Sequence, residues 1–127
     1  VSIRHTIRGA QEARAACLSV LANLRPDGAL GRAVRDATAA ADRYAVSITR
    51  VDTGAWRASH RPEVDGLHGR LALDPSTTNP RSGSRPVVYG AIWEERGGKR
   101  AVYARTVNEA GEDILQTTGL RLYRSLP

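Results

Sequence analysis

The chain has 127 residues, enough for one domain with a modest core; it contains no Phe or Met, so that core must come from Leu, Ile, Val and Ala with two Trp and four Tyr. No apolar run approaches the roughly 20 residues of a membrane-spanning helix, the first residues lack the continuous apolar stretch of a signal peptide, and a single cysteine excludes an intramolecular disulfide or a cysteine-built metal cluster. The formal charge is +6, divided as +4 over the first fifty residues and +2 over the rest, and every basic residue except Lys99 is Arg; such a chain suits an acidic protein surface or nucleic acid.

Over residues 3–24 the apolar positions Ile3, Ile7, Ala10, Cys17, Leu21 and Leu24 step mostly by three and four, interrupted by Arg14, which predicts an amphipathic helix with Cys17 on its core face. Pro26-Asp27-Gly28 ends it, with Asp27 as candidate N-cap of the next helix. There Leu30, Val34, Ala37, Ala41, Tyr44 and Ile48 repeat regularly, and the many alanines favour helix and close packing. The Arg and Asp side chains of this segment read as a solvated face.

After Ser59 the pattern changes. Residues 60–64 and 67–73 predict two strands joined across Asp65-Gly66. Residues 74–86, rich in Pro, Ser, Thr, Asn and Gly, predict a long loop. Residues 87–93 have β character, a charged turn follows, and helical spacing resumes to about residue 126. The expected organisation is one domain: 1–50 helical, 51–103 β-rich with a long loop at 74–86, and 104–127 a C-terminal helix. The expected fold class is α+β, two N-terminal helices and a C-terminal helix packed on a small antiparallel sheet built from about residues 59–73 and 87–103.

Asp52-Thr53-Gly54 resembles the catalytic tripeptide of aspartic proteases, in which two Asp carboxylates activate water. A chain of this length would have to dimerise to supply the second Asp. The tripeptide here follows an alanine-rich helical segment rather than a strand, and no later apolar-apolar-Gly brace is present. His5, His60 and His68 have no metal-ligand spacing, and Gly97-Gly98-Lys99 lacks the remainder of a phosphate loop. The expectation is no catalytic residue, no metal and no cofactor. A basic nucleic-acid-binding module remains an alternative on charge, without a recognisable recognition element.

A second resemblance covers about residues 30–125. Val51-Asp52-Thr53-Gly54-Ala55-Trp56-Arg57-Ala58-Ser59 resembles the Pro-Val-Asp-Thr-Gly-x-Leu-Arg-x-Ser motif of tailed-phage head–tail joining or tail-completion proteins, with Arg50 in place of the proline and Trp56 in place of the leucine. Tyr89-Gly90-Ala91-Ile92-Trp93-Glu94-Glu95-Arg96-Gly97 resembles their Tyr-Ala-x-x-hydrophobic-Glu-x-Gly segment, with Gly90 for alanine and one extra residue before the glycine. The resemblance implies a structural protein of the virion neck at the head-proximal end of the tail, assembled in the host cytoplasm. It implies rings, commonly of six copies, contacting neck and tail proteins such as a terminator, stopper or tail tube, with DNA contacted at most non-specifically and no membrane.

In the motif itself, Val51 is expected to pack as the chain leaves the second helix, Asp52 and Thr53 to cap the next turn, Gly54 to supply a dihedral closed to other residues, Trp56 to bury a large surface, and Arg57 and Ser59 to start the first strand. Arg81 and Arg85 on the long loop, with Tyr89 and Trp93 at its base, are the expected partner contacts.

Overall fold

Leu30, Val34, Ala37, Ala41, Ala45 and Ile48 form a stripe along one side of a helix, and that stripe organises the domain. In the computed structural model, which describes residues 8–126, it lies on α2 (Ala29–Ile48), preceded by α1 (Ala10–Asn23). A short α3 (Ala55–Ala58) leads into the strands β1 (His60–Asp65) and β2 (His68–Leu73). Then come α4 (Pro86–Arg96), a 3-10 turn at Gly98–Arg100 and the long α5 (Val102–Ser125). The fold is α+β, with N-terminal helices, a C-terminal helix and, among the described residues, one two-stranded antiparallel sheet.

The small side chains of α2 allow α5 to lie along it, and the hairpin packs on the flank of α2. The hairpin register pairs His60 with Leu73 and Asp65 with His68, leaving Gly66-Leu67 as the two-residue loop. At the hairpin's open end the core gathers Ala45, Trp56 and Val102, with Ile48, Leu71, Leu73, Tyr89, Trp93 and Tyr103 around them. Full burial of a side chain such as Val102 contributes about 1.5–3 kcal/mol, and the partly buried ones around it contribute less.

Several expectations change. Residues 87–93 are not a strand: 86–96 form α4, so the sheet ends at Leu73 and 51–103 is a helix–hairpin–helix segment rather than β-rich. The β-branched residues misled, whereas the end signals were present. Pro86 opens the helix, where its fixed φ and missing N–H cost nothing, and Gly97 ends it at φ 73°. Pro86, Tyr89, Gly90 and Trp93 then share the inward face, while Val88 and Ile92 are exposed. The stop of α4 also builds the start of α5. Ala101 has no capping side chain, and the Glu94 carboxylate accepts the N–H groups of Tyr103 and, at 3.2 Å, Ala104.

At the other end, the N-cap of α2 is Gly28, not Asp27. α1 buries none of its residues, so Cys17 is exposed rather than in the core. The expected helical residues 3–7, and His5 with them, lie outside the described residues. α5 continues through Gly119 to Ser125.

Candidate functional site

The chain leaves α2 at Thr49, an extended residue whose hydroxyl donates to the Ala45 carbonyl at 2.6 Å. Gly54 sits at φ 85°, a left-handed conformation that a side chain would strain by about 1–2 kcal/mol. This reversal turns α3 inward, so Ala55 and Trp56 are buried. Ser59, fully buried, donates to the Trp56 carbonyl at 2.6 Å, and Arg57 donates back to the Thr49 carbonyl at 3.0 Å. Arg57 therefore fastens α3 to the end of α2, and Ser59 closes α3 on itself while its carbonyl accepts the Asp74 N–H at 2.7 Å; β1 begins one residue later, at His60. Val51, expected to pack, is 53% exposed.

Asp52 does not cap. The N-cap of α3 is Gly54 without a side-chain bond, and the Ala55 N–H reaches Thr53 Oγ1 at a long 3.4 Å. The Asp52 carboxylate instead accepts Arg81 Nη1 at 2.8 Å. That ion pair ties the loop between β2 and α4 to the turn before α3. The loop has internal order as well: Asn79 Oδ1 accepts the Arg81 N–H at 2.9 Å, and Gly83 and Ser84 close a turn on the Asn79 backbone. Arg81 thus has a partner within the chain, while its side chain stays 72% exposed. Arg85 is exposed, and its carbonyl accepts the Val88 N–H as α4 begins.

Between loop and helices lies an open cleft of about 330 Å³. Its lining includes Asp52, Thr53, Gly54 and Trp56 from the first motif, Tyr89 and Trp93 from the second, Asn79, Ser82 and Ser84 from the loop, and Arg50 and Arg100. The Tyr89 ring meets Trp56 edge-on, centroids 5.7 Å apart. Gly90 lies against the same indole: a Cβ there would stand 3.3 Å from Trp56 Nε1 and 2.9 Å from Leu73 Cδ1. Arg100 stacks 4.1 Å over the Trp93 ring and Arg96 lies 5.3 Å from it. Burial pushes the Tyr89 hydroxyl pKa up from its usual 10.0, partly offset by the Asn79 side chain. Asp52 is the one carboxylate among the described residues of the lining, and Arg81 neutralises it. What the cleft offers is guanidinium groups, an amide, hydroxyls and aromatic faces, a donor-rich surface suited to holding a polar or acidic protein segment.

Of the residues expected to matter, Asp52, Thr53, Gly54, Trp56, Tyr89 and Trp93 meet in this cleft, with Arg81 at its rim; Val51, Arg57, Ser59 and Arg85 do not line it. Sequence reasoning missed Arg50, Arg100, Asn79, Ser82 and Ser84. Arg50 and Arg100 are separated by fifty residues, and no local pattern marks them as lining one cleft.

Comparison with protein-family models, with curated proteins and with solved structures finds no match to this chain.

Proposed function

We propose that this chain is a structural protein of a tailed-phage neck, a tail-completion or head–tail joining component that acts through ring assembly and protein–protein contacts. The reading rests on the resemblance of residues 51–59 and 89–97, and the observation that carries it is the contact between Trp56 and Gly90. These are the two positions at which the chain departs from that pattern inside the core, a larger residue for leucine and a smaller one for alanine. They touch: the space that a Cβ at position 90 would need is bounded by the Trp56 indole and Leu73. Two segments thirty residues apart with offsetting volume changes behave as one packed motif, as expected if both derive from one ancestral pattern.

The donor-rich cleft built on that contact supports the same reading, because it offers contacts to a neighbouring protein. Deleting the encoding gene from the phage genome that carries it, then examining the lysate by electron microscopy, tests the proposal. Filled heads and separate or unstable tails are expected, restored by the gene in trans. Normal infectious particles without the protein would overturn it.

A further inference from the structure

The guanidinium groups of Arg50 and Arg100 line the same cleft and have no counter-charge in it. Among the described residues neither takes part in an ion pair, and the one carboxylate of the lining, Asp52, already accepts Arg81. All thirteen Asp and Glu residues of the chain lie within the described residues, and none but Asp52 lines the cleft. Like charges held in one recess repel each other, and an anion placed there removes that cost.

The neutral side chains agree. Asn79 Oδ1 accepts the Arg81 N–H at 2.9 Å, and Ser82 Oγ accepts the Ser84 N–H at 3.2 Å. Their acceptor oxygens are engaged inside the loop, so what these groups still offer is N–H and O–H hydrogen. Arg100 is pre-organised as well. Its guanidinium carbon stands 4.1 Å over the Trp93 ring, which covers one face and leaves the N–H edge. A guanidinium held in this way loses little freedom on gripping a carboxylate.

We infer that the cleft binds an acidic segment of a partner protein, whose Asp or Glu carboxylates are held by Arg50 and Arg100 with Asn79 and Ser82 as further donors. Nucleic acid fits the cleft less well. Bases bind such sites by stacking on open aromatic faces, whereas here the Trp93 ring carries Arg100, Trp56 is buried and Tyr89 meets Trp56 edge-on. The charges also lie in a recess between a loop and helices, not along a stripe that a duplex could follow. The inference names the partner chemistry for the neck-protein reading and rests on it for the partner's place in the particle, whereas the binding is a property of the purified protein.

Trp56 and Trp93 are the only two tryptophans of the chain and both line the cleft, so intrinsic fluorescence reports on this site. The purified protein is titrated with a synthetic peptide of alternating Glu and Ala, and with the same peptide carrying Gln for Glu; inorganic phosphate and a DNA oligonucleotide serve as competitors. A saturable change in emission is expected with the Glu peptide and none with the Gln peptide. No change with the Glu peptide, or the same change with both, would overturn the inference. Arg50→Glu and Arg100→Glu should each weaken binding about tenfold or more. Arg124→Glu makes the same charge change at an exposed position outside the cleft and should leave binding near wild type at physiological salt. Equal weakening by all three would mean that net charge, not the cleft, attracts the peptide, and would sink the proposal. Asp52→Asn removes the one carboxylate of the lining and releases Arg81, so it should tighten binding several-fold, a gain that misfolding does not mimic. Unchanged or weaker affinity in that variant counts against the site. Phosphate or DNA that occupies the cleft more tightly than the Glu peptide would reassign it to phosphate ligands and refute the inference. A gene that the phage needs, encoding a protein that ignores the peptide, would refute this inference and leave the neck reading standing. Peptide binding by the product of a dispensable gene would do the reverse.

Discussion

Thr49 Oγ1 and His60 Nε2 lie 2.8 Å apart in the interior, and the Thr49 hydroxyl proton is already committed to the Ala45 carbonyl. His60 must therefore donate from Nε2, which leaves Nδ1 as the acceptor facing the Tyr103 hydroxyl at 3.4 Å. This is a neutral imidazole, and burial lowers its pKa below the usual 6.5, opposed in part by Asp42. The unfolded chain thus binds a proton that the folded chain resists. Stability from this group is complete above 6.5 and is lost as pH falls from there towards the lowered native value. Urea denaturation between about pH 7 and pH 5 should show this decline, and His60→Gln should flatten it relative to wild type. Parallel slopes for the two proteins would refute the assignment.

Trp56 and Gly90 should be energetically coupled. Alanine favours a helix over glycine by about 1 kcal/mol, but at position 90 its Cβ meets Leu73 and Trp56, and overpacking costs about 1–3 kcal/mol. Gly90→Ala should be destabilising in wild type and neutral or stabilising in Trp56→Leu. A double-mutant cycle should give a coupling of about 1 kcal/mol or more; additive effects would remove the main support for the functional reading.

Asp52 is expected to matter little for stability. Its bond to Arg81 is a surface ion pair, with side chains 56% and 72% exposed, and such pairs contribute about 0–1 kcal/mol. Asp52→Ala and Asp52→Asn should therefore cost about the same, under 1 kcal/mol, in thermal or urea melts. A much larger loss for Ala than for Asn would restore the capping role.

Glu94 is where a cap does operate. Removing its carboxylate with Glu94→Ala leaves the Tyr103 and Ala104 N–H groups without their acceptor and should cost about 0.5–2 kcal/mol, read by urea denaturation.

Replacing residues 75–85 with a short Gly-Ser linker removes Arg81 and three cleft residues while leaving the core untouched. The circular dichroism spectrum should stay near wild type while incorporation into particles is lost. Infectious particles at wild-type yield would separate the cleft from the function.

The hairpin at 60–73, α2 and α5 were legible in the sequence because each carries a local pattern, alternation in the second strand and steps of mostly three and four in the helices. Gly54 and the inward Trp56 were legible for the same local reason: a left-handed position before a large apolar residue. α4 was misread because Val87, Val88, Tyr89 and Ile92 carry β preference. That preference was outweighed by Pro86 and Gly97 at the ends and by the burial of one helical face against Trp56. Only the tertiary structure decided the partners. Arg81 reaches Asp52, Glu94 caps a helix that starts after it, and Arg100 stacks on Trp93. Long charged side chains choose partners by proximity in space, which local sequence spacing does not encode. The exposure of α1 was decided in the same way: its stripe follows the pattern of a core helix, but in the fold none of its residues is buried.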